Sequence, residues 1–217
     1  MELSTMLGML GEGLLVSAQI FCIALVGSLP LGVLVALGRM SKFKPLALLV
    51  RFYISVMRGT PLMLQLLAIQ FGPWGLFGIQ TDADWKYMAT YIAFVLNYAA
   101  YFGEIYRSGI QSIPRGQYEA ANVLGYTRVQ TFMKIVLPQV IKRILPAMSN
   151  EIITLVKDTS LAFVLSIPEL MSTSKALVAR EASMIPYVLA GAIYWCFNFV
   201  VEWVLNRVEK KLDYYHD

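Results

Sequence analysis

The sequence predicts an all-α integral membrane protein with five transmembrane helices, the N-terminus outside and the C-terminus in the cytoplasm. Three observations carry this. Of 217 residues, 58% are hydrophobic and 15% charged, where a soluble domain carries about 25% charged residues; the mean hydropathy is +0.61. The apolar residues gather in nearly uncharged runs, and a hydrocarbon core of ~30 Å needs ~20 such residues as helix. The basic residues gather between particular runs, which the positive-inside rule turns into an orientation. The composition excludes a disordered tail, a basic nucleic-acid binder and a disulfide scaffold, and it disfavours a soluble enzyme.

The first run, Leu14 to Leu37, has no charge. It contains Gly27, Pro30 and Gly32, which membrane helices tolerate where neighbours cover the freed backbone. It ends at Arg39, Lys42 and Lys44. No basic segment precedes it, so it is expected to stay in the mature chain. The second run extends from Pro45 toward Phe77 and is interrupted at Arg58-Gly59-Thr60-Pro61. A proline after glycine breaks or kinks a helix, so one long, bent spanning element is expected. The third is Tyr87 to Tyr106. The fourth, Ile144 to Val156, is too short to span alone; the helix is expected to stop near Lys157, before a second apolar stretch, Leu161 to Ile167. Residues 168–184 suit a short outer helix. The fifth run is Tyr187 to Leu205.

Placing loop 39–44, loop 107–143 and the tail from Arg207 in the cytoplasm collects 12 of the 18 lysines and arginines there. Lys86, Lys175 and Arg180 fall outside, and Arg51, Arg58 and Lys157 lie at membrane depth. Five spans do not divide into two equal inverted halves, which disfavours the common secondary-transporter plan. Cys22 and Cys196 lie in apolar runs and read as small buried hydrophobes. No metal-ligand spacing occurs, so no metal site is expected.

The loop between the third and fourth runs is the most informative segment. Pro114 to Gly125 is helix-competent, with Gly125 placed to end the helix. Tyr118, Ala121 and Leu124 fall three apart, and the adjacent alanines let a helix backbone sit close to a partner surface. A plain solvated linker helix is the alternative. The loop then reads Glu119-Ala120-Ala121, three residues, Gly125, nine residues, Ile135, one residue, Leu137-Pro138. This pattern, over residues 114–138, resembles the EAA loop of ABC importer permeases. Arg58-Gly59-Thr60-Pro61, Asn150-Glu151 and Lys157 to Leu161 resemble the polar amino acid subgroup, the histidine and glutamine permease type. The resemblance covers essentially the whole chain.

The resemblance implies a single transmembrane permease domain over residues 1–217, in the plasma membrane of a prokaryote, with no catalytic site and no cofactor of its own. Two such subunits would pair, alike or unlike. A cytosolic ABC ATPase dimer, holding ATP-Mg, would dock on the coupling helix that carries Glu119, Ala120, Ala121 and Gly125. An extracytoplasmic binding protein would deliver an amino acid. The chain lacks the G-x-x-x-x-G-K-[ST] phosphate loop, so the ATPase must be another chain. No nucleic acid partner is implied.

Ionisable groups at membrane depth are functional candidates by default. Counting ~1.5 Å per residue from Arg143 puts Glu151 ~12 Å and Asp158 ~22 Å into the core. They lie seven apart and share a face with Thr154. Two carboxylates suit the extra cation of a basic amino acid. Lys157 and free backbone N–H groups at Thr159 and Ser160 would meet a substrate carboxylate. Asn97, Tyr98 and Tyr101 in the third run, and Gln65 and Arg58 in the second, complete the candidates. The alternatives are an internal ion pair of Glu151 or Asp158 with Arg58 or Lys157, and helix–helix hydrogen bonds from Asn97 and Gln65. Glu104 and Arg107 read as an ordinary helical pair, and Glu202 beside Arg207 as interfacial. The expected function is ATP-driven import of a polar amino acid, with arginine, lysine or histidine favoured and glutamine next. A stand-alone ion-coupled carrier or channel and a membrane scaffold are the rivals. An enzyme is the weakest reading, since His216 is the only histidine.

Overall fold

The computed structural model describes residues 2–212, so His216 lies outside the described residues. These residues form helices and no strand: α1 (Leu3–Arg39), α2 (Lys44–Gly59), α3 (Leu62–Phe77), α4 (Trp85–Gln111), α5 (Arg115–Val123), α6 (Arg128–Thr131), a π-helix (Phe132–Val136), α7 (Leu137–Asp158), a 3-10 helix (Thr159–Leu165), α8 (Leu170–Glu181) and α9 (Ile185–Leu212). α1 and α9 are each long and apolar enough to cross a bilayer. The bent pairs, α2 with α3 and α6–α7 with α8, reach that standard when each pair is taken together.

α4 has 27 residues but falls short of that apolarity, because it is the packing centre rather than a lipid-facing helix. Ala89, Ala93, Phe94, Tyr98, Ala99, Ala100 and Phe102 are all buried. α1, α3, α7 and the 3-10 helix surround it through Ile20, Ala24, Leu66, Leu155 and Ala162. Lipid tails are as apolar as leucine, so close van der Waals fit drives this association. The fit is close between α1 and α4. A Cβ on Gly103 would stand 2.6 Å from Val35 Cγ1 and 3.2 Å from the Gly32 carbonyl oxygen. One on Gly32 would stand 2.9 Å from Phe102 Cβ and 3.2 Å from the Gly103 nitrogen.

In these helices the structure departs from the sequence reading in three places. The second run is bent far more sharply than a kink: α2 and α3 meet at 112°. Thr60 (φ −121°, ψ 148°) and Pro61 (φ −61°, ψ 134°) are both extended, since a proline pushes its predecessor out of the α region and two such residues redirect the chain. The fourth run starts earlier than expected, because α6, the π-helix and α7 run on from Arg128. The chain opens α6 with a capping box, in which Thr127 Oγ1 accepts from the Gln130 amide and Gln130 Oε1 accepts from the Thr127 amide. Cys22 and Cys196 are exposed on the helix surfaces rather than buried. Arg207 lies over the Trp203 ring, 4.2 Å from its centroid.

α8 is fastened by a side chain absent from the sequence candidates. Glu169 is fully buried and caps α8: its carboxylate accepts from the amides of Met171 (2.7 Å) and Ser172 (2.6 Å) and from the Tyr194 hydroxyl of α9 (3.1 Å). The Leu170 amide donates to Ser17 Oγ of α1, so three helices meet at this cap. An acidic residue between Pro168 and a helical stretch is an N-cap signal readable in the sequence. Glu169→Ala is expected to cost about 2–4 kcal/mol, combining a lost cap with a lost hydrogen bond to the Tyr194 hydroxyl. Glu169→Gln, which keeps one acceptor, is expected to lose about half of that. Thermal unfolding of the detergent-solubilised protein measures both.

Candidate functional site

A cavity of about 400 Å³ opens where α4, α7 and the α2–α3 break converge. Its walls are Thr60, Pro61, Leu62, Asn97, Tyr98, Tyr101, Glu151, Thr154, Asp158 and Leu161. The volume sits at the small end of ordinary ligand sites, roughly 300–1,000 Å³. The helical period explains the α7 wall: Glu151, Thr154 and Asp158 fall on one stripe of a continuous helix that ends at Asp158. From α4, Asn97, Tyr98 and Tyr101 face it by the same spacing. The Tyr98 hydroxyl donates to Asp158 Oδ2 at 2.7 Å across the two helices. Its ring is buried and stacked on Phe94.

Neither cavity carboxylate forms an ion pair with a described residue. The internal pair with Arg58 or Lys157 is therefore not formed. Arg58 is exposed and rests over the Tyr101 ring, 5.2 Å from its centroid, at the edge of the cavity rather than against a carboxylate. Lys157 is exposed and does not line the cavity. The expected free amides after α7 are also corrected. The Thr159 amide bonds back to Leu155 O, because the chain continues as 3-10 helix instead of stopping. Thr159 is fully buried and its hydroxyl donates to Val156 O. The Ser160 hydroxyl donates to Lys157 O. Neither lines the cavity.

Gln65 is likewise set behind the wall. α2 ends at Gly59, so its last carbonyls lack helical partners, and the residue four after Met57 is Pro61, which has no N–H to give. Two side-chain amides replace it. Gln65 Nε2 donates to Met57 O (2.9 Å), Thr60 Oγ1 (2.9 Å) and Thr60 O (3.1 Å). Asn97 Nδ2 donates to Met57 O (3.0 Å) and to Gln65 Oε1 (3.0 Å). Gln65 is buried and committed to the break, while Asn97 both joins this network and lines the cavity.

On the far side, α5 carries Glu119 and Ala120 exposed, with Ala121 turned inward and buried. Tyr118, Ala121 and Leu124 therefore do not form one outward face: α5 stops at Val123 and Leu124 leaves the helix. Gly125, at φ +77°, completes a Schellman cap in which the Tyr126 amide bonds Ala121 O and the Gly125 amide bonds Asn122 O. Around this cap Val123 (86%), Leu124 (73%) and Val129 (72%) are exposed. A second cavity, about 550 Å³, is lined by Tyr118, Glu119, Asn122, Tyr126, Arg128, Thr131 and Phe132. Exposed apolar residues beside a polar notch are a common feature of protein–protein contacts.

The chain is 38% identical to the arginine transport system permease protein ArtQ of Bacillus subtilis over 202 residues, covering 93% of this chain and 91% of ArtQ. It is 35% identical to the L-cystine transport system permease protein TcyB of the same organism, covering 95% and 87%. Among solved structures, a crystal structure of an amino acid ABC transporter with histidines superimposes with a TM-score of 0.86 at 32% identity, covering 97% of this chain and 99% of that one. Residues 28–214 match the family described as binding-protein-dependent transport system inner membrane component. The chain belongs to that family and is a multi-pass inner-membrane permease subunit of an amino acid ABC importer.

Proposed function

We propose that this subunit carries a cationic amino acid, arginine, lysine or histidine ahead of glutamine, and that the α4–α7 cavity holds it in transit. The cavity lining carries the reading: two carboxylates and no lysine or arginine. Uncompensated carboxylates at membrane depth are costly, and a ligand with a surplus positive charge compensates them. Arg58 over Tyr101 is placed to meet the ligand's carboxylate. The relatives' names, arginine for one and cystine for another, leave the choice to the chemistry of this lining.

Around this site we place five spans, with α2–α3 as the second and α7 with the 3-10 helix as the fourth, the N-terminus outside and the C-terminus in the cytoplasm. A second permease subunit pairs with this one. A cytosolic ATPase dimer holding ATP-Mg docks at Glu119, Ala120, Ala121 and Gly125, and a binding protein delivers substrate from outside. The test is uptake by proteoliposomes containing the permease with its ATPase, comparing arginine with glutamine. Asp158→Asn and Glu151→Gln are each expected to raise the KM for arginine by about tenfold or more and to change that for glutamine much less. Equal losses for both ligands would remove the charge-based assignment.

A further inference from the structure

We infer that Gln65 is a positioning residue: it holds Asn97 with its carboxamide oxygen as the atom offered to the cavity, so that Asn97 serves as a third acceptor beside the two carboxylates. The inference rests on the cavity being the substrate site.

The orientation of a carboxamide is set by its hydrogen-bond partners. Here the partners leave one solution. Met57 O and Thr60 O are backbone carbonyls and only accept. Met57 O is orphaned because Pro61 stands where its helical donor would be. Gln65 must therefore aim Nε2 at these carbonyls, at 2.9 and 3.1 Å, which leaves Oε1 as the end that meets Asn97. Asn97 must then aim Nδ2 at Gln65 Oε1 and Met57 O, both at 3.0 Å. Both amide hydrogens of Asn97 are thereby used, and its oxygen, which accepts from no described residue, is the group left for the cavity it lines. The polarity of the chain runs from the proline, through Gln65, to the ligand.

A carbonyl-type acceptor beside Glu151 and Asp158 takes an N–H of an ammonium or guanidinium and repels a carboxylate. If Asn97 were free to turn over, its NH₂ would face the cavity for part of the time and favour the opposite group. Gln65 thus acts on recognition without touching the ligand.

The experiment uses the assembled transporter, permease with its ATPase, in proteoliposomes with L-arginine as the probe. Gln65→Met keeps length and apolar packing but removes both ends of the network. It is expected to raise KM about tenfold while the maximal rate changes less than about threefold. Gln65→Glu, which keeps the acceptor and loses the donors, is expected to shift KM in the same direction. Asn97→Ala is expected to match Gln65→Met, and the double variant Gln65→Met/Asn97→Ala to be no worse than Asn97→Ala alone, because the two act through one contact. A purely structural staple would give the other pattern: lower maximal rate and melting temperature, an unchanged KM, and effects that add in the double variant. That pattern overturns the inference. Asp158→Asn is measured in parallel. If Asp158→Asn raises KM and Gln65→Met does not, this inference fails alone; if neither moves KM, the cavity assignment fails with it.

Discussion

Gly103→Leu is expected to remove the folded protein from the membrane. A Cβ at this position already stands 2.6 Å from Val35 Cγ1 and 3.2 Å from a backbone oxygen of α1. Valine has only a stiff branched side chain to move, and the Gly32 backbone cannot move without the helix. α1 would have to part from α4 along its length, since Gly32 is pressed just as closely onto Phe102 and the Gly103 nitrogen. Overpacking a well-fitted core costs about 1–3 kcal/mol and sometimes more, and a whole leucine between two touching backbones belongs at or beyond the upper end. For a structure stable by about 5–15 kcal/mol, the expected result is a large fall in the monodisperse fraction on size exclusion and a lower melting temperature. Gly8→Leu is the control: the position is exposed and a Cβ there meets nothing within 4 Å. Both variants yielding the same well-folded material would contradict the packing described for α1 and α4.

Glu119→Arg is expected to cut ATP-driven uptake by about 100-fold while leaving the fold intact. Glu119 is exposed on a nine-residue helix and lines the same cavity as Arg128. Reversing its charge puts two cations in that notch and removes the one carboxylate that lines it among the described residues. Losing one partner of a buried interfacial charge pair costs about 2–5 kcal/mol, and about 2.7 kcal/mol is already 100-fold. The melting temperature of the isolated permease is expected to stay within a degree or two, because Glu119 has no hydrogen bond to the rest of the described chain to lose. Co-purification with the ATPase subunit and uptake in proteoliposomes provide the measurements. Unimpaired uptake would count against α5 as the docking element.

Much of this architecture was legible because it depends on local chemistry. Uncharged runs became helices, Gly125 took the left-handed conformation that ends α5, and the seven-residue spacing of Glu151 and Asp158 put both on the stripe that lines one cavity. What was not legible depended on partners far away in the chain. The helix–helix hydrogen bond offered as one reading of Gln65 and Asn97 does form, but the carbonyl they share was not visible in the sequence. Their actual role follows from Pro61 leaving Met57 O bare, and that carbonyl reaches Asn97 only across 40 residues of sequence. Thr159 and Ser160 read as a helix end with open amides, but a 3-10 turn uses the chain more tightly and closes them. The 112° turn was underestimated because two extended residues redirect a helix far more than a single kink does. Glu169 was missed although its cap position was visible, since its burial is set by Ser17 and Tyr194 from opposite ends of the chain.

The unbroken run from Arg128 through Asp158 has the proportions of a balance beam. Arg143 Nη1 donates to Ser112 O at 2.5 Å and to Ser112 Oγ at 3.2 Å. One residue on, Ile144 lies so close to Gly109 that a Cβ there would be 2.2 Å from Ile144 Cγ2. This is the fulcrum, where α7 bears on the end of α4. Fifteen residues separate it from Arg128 and fifteen from Asp158, about 22 Å of helix on each side. A tilt about this point would carry Asp158 about as far as Arg128 and in the opposite sense, and Glu151, eight residues from Arg143, about half as far. Asn97, Tyr98 and Tyr101 stay with α4, so the same stroke that widens the gap also pulls Asp158 from the Tyr98 hydroxyl. Such a tilt would couple the opening of this chamber to the loss of its Tyr98–Asp158 contact.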